Sequence, residues 1–250
     1  MSKQRTFITD LDHTLIHSQY PEHLCVERHP DRRPITYMTQ QSYRLLLRVL
    51  MTPTIEVIPC TMRNWSQLQR IDWVQEYPPR LAICSNGAQI FVDGQLDEQW
   101  EGMMRERTPK QQVLDDYQKI VALDLKEVEI QKIEQFYLVV KCANVAYAKE
   151  SIDVIKHVFA MRRQVFRSGR KIFVITPEID KKYAVDYLRT HYDLPNIITS
   201  GDSIADRKFT MCGQAILPRH ATFLHPQARL TIRRGIAATE EILKYVLKFE

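Results

Sequence analysis

The chain lacks most of the features that would place it in a membrane, a secreted scaffold or a repeat array. It contains no window of about 18 uncharged apolar residues, so no membrane-spanning helix is expected. The opening MSKQRTF has no apolar signal core, and a cytoplasmic protein is the expectation. Cysteine is sparse: the five residues at 25, 60, 84, 142 and 212 are odd in number and form no C-x-x-C pair. That argues against a disulfide framework and against a structural zinc site. Scattered histidines, among them His17, His23 and His29, show no metal-ligand spacing. Internal repeats and low-complexity tracts are absent as well.

Neither sign of charge dominates. With 35 basic and 30 acidic residues the net charge is +5, and the basic residues are spread along the chain, so nucleic acid is not an expected partner. The densest basic cluster is Arg162, Arg163, Arg167, Arg170 and Lys171. It reads either as a solvated hairpin edge that resists strand pairing or as a phosphate-binding patch. A length of 250 residues at 44% apolar content suits one medium domain, or a core with a smaller domain inserted.

Apolar runs of strand length alternate with helical periodicity, the pattern of βαβ units around a parallel sheet. Strands are expected at 6–9, 54–58, 81–84, 197–200 and 215–217. Helices are expected at 39–50, across Trp65, Leu68, Ile71 and Val74, at 181–192, after Asp202, and at 238–247. The polar excursion from about 17 to 34 reads as a flap or loop. From about 97 to 168 the character changes to longer amphipathic helices and antiparallel-looking strands, with 145–161 as the second helix and 171–175 leading back to the main sheet.

The most informative stretch is FITDLDHTL, where an apolar run ends in two carboxylates, Asp10 and Asp12. In extended backbone, residues i and i+2 face the same side, so both can address one small volume beyond the strand. Two like charges that close call for a divalent cation, or for one carboxyl to attack while the other carries a proton. The same Asp-x-Asp also serves as a turn and helix cap. Three later segments add to it: Thr61 in IEVIPCTMRN, Lys181 in PEIDKKYAVDYL, and Asp202 with Asp206 in IITSGDSIADRKF.

In this order the segments resemble the four motifs of the haloacid dehalogenase superfamily of phosphatases and phosphotransferases. FITDLDHTL looks like the first, CTMR the second, Lys181 the third and GDSIAD the fourth, and AICSNGAQIFVDG is similar to the lead into a large α/β cap. The resemblance implies an α/β fold, with a Rossmann-like parallel-sheet core over 1–95 and 172–250 and an inserted α+β cap over 96–171. It implies Asp10 as nucleophile, Asp12 as acid and base, and Lys181 as the positive charge beside them, with Lys182 as the competing lysine. The substrate phosphate would lie against Thr61, through its hydroxyl and N–H, with Met62 and Arg63. Mg²⁺ would be held by Asp10, Asp12 through its carbonyl, and Asp202, with Asp206 as a further ligand or outer partner.

Departures from the family pattern are His13 and Met62, at positions often held by Gly, and the segment PRH at 218–220. Arg63 reads equally as a surface ion pair, Asn86 as a turn residue, and Cys60 as a buried thiol with no His beside it in sequence. Arg105, Arg107, Lys141, Arg163 and Arg167 are candidate cap contacts. The expected activity is Mg²⁺-dependent hydrolysis of a small phosphorylated metabolite, such as a sugar phosphate, through an aspartyl-phosphate. A phosphotransferase or sugar phosphomutase on the same site, and a phosphate-binding module without turnover, stay open. Oligomeric state is not legible.

Overall fold

A computed structural model describes residues 5–248, and the chain divides into two compact units: one runs up to Asp97 and resumes at Lys181, the other is Glu98–Asp180. In the first unit β1 (Arg5–Thr9) is buried on both faces, as the continuous apolar run at Phe7 and Ile8 requires of a central parallel strand. The excursion after it is an antiparallel hairpin, β2 (Leu24–Arg28) and β3 (Pro34–Met38), with register shifts between Cys25 and Arg28. Thr39 caps α1 (Gln40–Leu50) by accepting from the Ser42 N–H, and Leu45, Leu46 and Val49 form its buried stripe. β4 (Ile55–Pro59) follows.

The helix expected across Trp65–Val74 is two short ones, α2 (Trp65–Leu68) and α3 (Asp72–Glu76). A strict spacing of three drifts off one face of a 3.6-residue helix within two turns, and the backbone at Ile71 instead bridges to Glu27 of β2. β5 (Leu81–Cys84), β6 (Gln89–Val92) and β7 (Gln95–Leu96) form a separate antiparallel sheet, joined to β4 through the Cys60–Ile83 bridge.

The second unit contains α4 (Glu98–Arg107), α5 (Lys110–Val121), β8 (Val128–Ile133), β9 (Tyr137–Cys142), α6 (Val145–Phe159), β10 (Gln164–Ser168) and β11 (Lys171–Ile175). Its sheet is antiparallel in the order β10-β11-β9-β8. Val113, Ile120, Leu138, Val140, Ile155 and Phe159 build its core between α5, α6 and the sheet. Two expectations are corrected here. The helix at 145 is the third of this unit, not the second, and β11 does not return to the main sheet. Phe173 of β11 faces Val139 of β9 and Phe166 of β10, so the unit runs on to Asp180 instead of ending at 171.

The first unit resumes with α7 (Lys181–His191) and β12 (Ile197–Ser200). Two single 3₁₀ turns, Ile204–Asp206 and Phe209–Cys212, stand where one helix was expected after Asp202. β13 (Gln214–Leu217), β14 (Arg229–Leu230) and α8 (Ala238–Lys248) complete the chain. The main sheet is parallel in the order β14-β13-β12-β1-β4. α1 and α8 pack side by side, and Leu46, Val49, Ile242, Leu243 and Val246 share one core with Phe7, Val57 and Ile198 of the strands. No helix among the described residues is long and apolar enough to cross a membrane.

Candidate active site

The carboxyl ends of adjacent parallel strands deliver the titratable groups, where open α/β sheets place their ligands. Asp10 follows β1, and its N–H donates to the Ser200 carbonyl at the end of β12 (2.9 Å). Asp202 and Asp206 follow β12. One carboxylate oxygen of each of Asp10, Asp202 and Asp206 lies within 4.8 Å of the others. Lys181, the first residue of α7, enters this cluster from a position that is 1% exposed. Its Nζ donates to Asp10 Oδ1 (2.7 Å) and to Asp206 Oδ1 (2.6 Å). Lys182 instead pairs with Asp186 one turn along the helix, so geometry separates the two lysines.

Asp206 is committed to the architecture as much as to charge. Its Oδ2 accepts from the N–H groups of Asp202 (3.1 Å) and Ser203 (2.8 Å) and from Ser203 Oγ (2.8 Å), which ties the turn carrying Asp202. A Cβ at Gly201 would lie 2.4 Å from Asp206 Cβ, so this close approach needs glycine. Both oxygens of Asp206 are held by short bonds, whereas Asp10 Oδ2 accepts a long one from Thr14 Oγ1 (3.4 Å), so Asp10 and Asp202 are the carboxylates more open to a cation.

Electrostatics agree with that division. Burial, then Asp206 and against Lys181, pushes the Asp10 carboxyl up to about 7. Burial, then Asp10 and Asp206, pushes Asp202 up to about 9. Burial alone would lower the Lys181 ammonium, but Asp10 and Asp206 outweigh it and hold it well above its usual range. Three carboxylates and one ammonium leave the cluster short of positive charge, which pushes Asp10 and Asp202 towards their neutral forms. An oxygen-only, electron-rich donor set of this kind fits a hard divalent cation such as Mg²⁺.

The strand has ended at Thr9 and Leu11 turns inward; the Asp12 side chain meets the Arg63 guanidinium, and its charge still raises the Asp10 and Asp202 carboxyls. Arg63 Nε and Nη2 each donate at 2.8 Å to one Asp12 oxygen. Arg63 is itself buried, and its Nη1 donates to Glu27 Oε1 (2.8 Å) and to the Gln67 carbonyl (3.4 Å). The ion pair expected at the surface is therefore a buried one: Nε, Nη1 and Nη2 of Arg63 donate to two carboxylates and a carbonyl, as a buried guanidinium requires.

Thr61 is fully buried, and its N–H donates to the Ile83 carbonyl (2.9 Å), so the expected N–H contact to phosphate is replaced by a strand bridge. Its Oγ1 accepts from the Arg63 N–H (3.1 Å), which orients the hydroxyl. Met62 beside it is partly buried. Burial raises the Cys60 thiol well above its usual value, with Lys181 opposing, which keeps it a thiol and removes it as a nucleophile.

His13 occupies a left-handed conformation at φ 61°, which accounts for glycine being common at such a position. His220 Nε2 donates to the His13 carbonyl (2.8 Å), and His220 Nδ1 accepts from the Gly235 N–H (3.1 Å), which fixes the neutral tautomer. The PRH segment thus braces the turn that carries Asp12, while Arg219 is exposed. Asn86 sits at φ 60° with its N–H on the Thr61 carbonyl (3.0 Å), a turn residue. In the second unit Arg163 binds Asp116, Lys141 binds Glu129, and Arg105 binds Glu101 and the Glu134 carbonyl. Arg167 closes on the Gly169 carbonyl, and Arg107 is exposed.

Sequence reasoning missed Glu27, a fully buried acid that accepts from Arg63, lies 3.3 Å from Arg70 Nε, and accepts from Thr36 Oγ1 (3.0 Å). The one signal was an acid directly after the short apolar run at 24–26 inside the polar excursion, with nothing to name its partners.

The family described as Sucrose-6F-phosphate phosphohydrolase matches residues 3–216. The chain belongs to that family. It is a hydrolase of the haloacid dehalogenase superfamily of phosphatases, with the Rossmann-like core and additional α+β unit typical of that fold. Among solved structures it is similar to the sucrose-phosphatase from Synechocystis in complex with sucrose and phosphate, at 14% identity over 99% of this chain and 100% of that one, TM-score 0.66. It is similar to the C-terminal domain of the C. albicans trehalose-6-phosphate phosphatase at 13% identity over 98% and 92%, TM-score 0.67. A haloacid dehalogenase-like hydrolase from Bacteroides thetaiotaomicron matches at 12% identity over 98% and 100%, TM-score 0.63. No curated protein matches the chain.

Proposed function

We propose that the protein is a Mg²⁺-dependent phosphatase that hydrolyses the phosphate monoester of a small sugar through an aspartyl-phosphate on Asp10. The observation that carries this reading is the placement of Asp10, hydrogen-bonded to a buried lysine and within 4.8 Å of two further carboxylates, at the carboxyl ends of β1 and β12. Support for a sugar as the alcohol comes from the family and from the structural neighbours named as sucrose and trehalose-6-phosphate phosphatases.

An Asp10 oxygen attacks phosphorus, the bond from phosphorus to the sugar oxygen breaks, and Asp12 gives that oxygen its proton. Water then attacks the phosphoryl group, Asp12 takes the water's proton, and phosphate leaves with Asp10 restored. Lys181 holds Asp10 in its attacking orientation and offsets charge that develops on the transferring group. The Thr61 hydroxyl donates to a phosphoryl oxygen. Asp10 and Asp202, with the Asp12 carbonyl, would hold Mg²⁺, and Asp206 would orient Asp202 and Lys181 around it. Bound Mg²⁺ supplies positive charge that neutralises the carboxylates and the phosphoryl oxygens.

Five cysteines that form no disulfide with one another, three of them buried, suit a reducing compartment and support action in the cytoplasm. The test is phosphate release from a panel of sugar phosphates. Release that requires Mg²⁺ and is abolished by EDTA and by Asp10→Asn is expected. Release that survives Asp10→Asn in a clean preparation would overturn the mechanism.

A further inference from the structure

We propose that His220 is a positioning residue for the metal site: together with Thr222 it fixes the turn that carries Asp12 against the turn that carries Asp202. The inference rests on the phosphatase reading above and names a residue outside the carboxylate cluster that sets the cluster's geometry.

Strand pairing holds the two halves of the site only as far as its register runs. β1 and β12 pair from Thr6 against Ile197 to Thr9 against Ser200, and the Asp10 N–H on the Ser200 carbonyl (2.9 Å) continues the link. Asp12 and Asp202 lie past those strand ends, in turns. Mg²⁺ demands near-ideal octahedral oxygen ligation at about 2.0–2.1 Å, so small shifts between the two turns cost affinity.

The segment Pro218–Thr222, directly after β13, spans both turns. Thr222 holds the Asp202 carbonyl twice, through its N–H (2.7 Å) and its Oγ1 (3.1 Å). His220 Nε2 holds the His13 carbonyl (2.8 Å), one peptide beyond the Asp12 carbonyl. The other ring nitrogen settles the direction of that bond. The Gly235 N–H can only donate, so Nδ1 accepts from it (3.1 Å) and Nε2 carries the proton. Gly235 has no room for a side chain, since a Cβ there would lie 2.3 Å from Tyr20 Oη. His220 is thus anchored through one nitrogen while the other holds the turn of Asp12. Toward the two turns, the bonds of His220 and Thr222 go to backbone carbonyls, and the ligand atoms stay on Asp10, Asp12 and Asp202. PRH at 218–220 is one of the departures from the family pattern, and this brace is what it supplies here.

Metal affinity tests this in the full-length protein without substrate. Mn²⁺ is the probe, because it accepts the same octahedral oxygen donors and its free ion is counted by electron paramagnetic resonance. Gln and Met are close in size, and only Gln carries an N–H that can reach the His13 carbonyl. We expect His220→Met to raise the Mn²⁺ dissociation constant at least about tenfold, and His220→Gln to leave it within about threefold of wild type. A structural role alone would lower the urea midpoint of the variants and leave the dissociation constant of the folded protein unchanged. A rise of less than about tenfold in His220→Met, or a matching rise in His220→Gln, overturns the proposal. Should His220→Met not fold, His220→Asn, whose amide is too short to reach that carbonyl, is read against His220→Gln with the same two limits. A wild type that binds no Mn²⁺ would defeat the metal-dependent reading and this inference together. Wild-type binding that His220→Met leaves unchanged defeats only the role of His220.

Discussion

Replacing Lys181 by Met removes the single cation inside a cluster of three carboxylates while keeping the length and apolar stem of the side chain. Two short charge-assisted hydrogen bonds are lost, to Asp10 and to Asp206, each worth about 1.5–3 kcal/mol net. Because the site is buried, breaking one partner of the ion pair is expected to cost about 3–5 kcal/mol of stability in alkaline buffer. The cost depends on pH with a definite sign. Asp10 already has its carboxyl raised from 3.8 to about 7, so stability associated with it is present at low pH and is lost as pH rises through that value. Taking away Lys181 raises Asp10 further. Below pH of about 6 the carboxyl is largely protonated in both proteins, so that part of the difference vanishes, and above about 7 it grows with pH until the variant's carboxyl ionises too. Urea denaturation of wild type and Lys181→Met without added metal, at pH 5.5 and pH 8.5, measures this directly. The loss should be larger at pH 8.5 by at least about 1 kcal/mol. A loss below about 1 kcal/mol at pH 8.5, or one equal at both pH values, would refute the assignment of Lys181 as the charge that balances the cluster.

Thr61→Val keeps the shape of a buried side chain but removes the hydroxyl, and kcat/KM for a sugar phosphate should fall about 10²-fold, as for loss of one donor to a transferring group, measured by steady-state phosphate release. Gly201→Ala places a Cβ 2.4 Å from Asp206 Cβ, so the turn must shift. It should cost about 1–3 kcal/mol in chemical denaturation and weaken Mg²⁺ binding in calorimetric titration. His17 is 2% exposed, with Nε2 on Thr239 Oγ1 at 3.0 Å. Burial, then His13 and His220, lowers it from 6.5 to about 3. The unfolded chain binds a proton there that the folded one refuses, so stability present above pH 6.5 is lost as pH falls toward 3, by about 5 kcal/mol at most. His17→Gln should flatten that acid limb in urea titrations between pH 7 and pH 4.

Much of the core was legible because buried parallel strands are written as continuous apolar runs. Ile197–Ser200 matches its expected span, and β1 and β13 each begin one residue before theirs. Helical ends read well where a cap residue stands in sequence, as Thr39 does before α1. What failed depended on pairing at a distance. Phe173 looks like a core strand residue from either sheet, and only its register against Val139 and Phe166 assigns it to the second unit. The spacing of three from Trp65 to Val74 is helical on paper, but the bridge between Ile71 and Glu27 divides it.

In the site, Asp10, Lys181, Asp202 and Asp206 gather from the segments that the sequence singled out. Asp12 and Arg63 were each noticed, yet their mutual pairing was not, since adjacency to Asp10 suggested a shared role with it. Glu27 stands 36 residues from Arg63, and His220 stands 207 residues from His13. Neither separation carries a periodic signal, so one buried acid and one histidine brace were beyond a reading of spacing alone.

The most direct test of the account is to look for the phosphoryl group on Asp10. Asp12→Asn slows the second half of the reaction, so acid-quenched protein, mixed with Mg²⁺ and 4-nitrophenyl phosphate, should carry one phosphoryl group by intact mass. Borohydride reduction followed by peptide mapping should then find Asp10 converted to homoserine. Steady turnover in the wild type with no adduct in the variant, or an adduct that maps to any other residue, would contradict the central role given to Asp10.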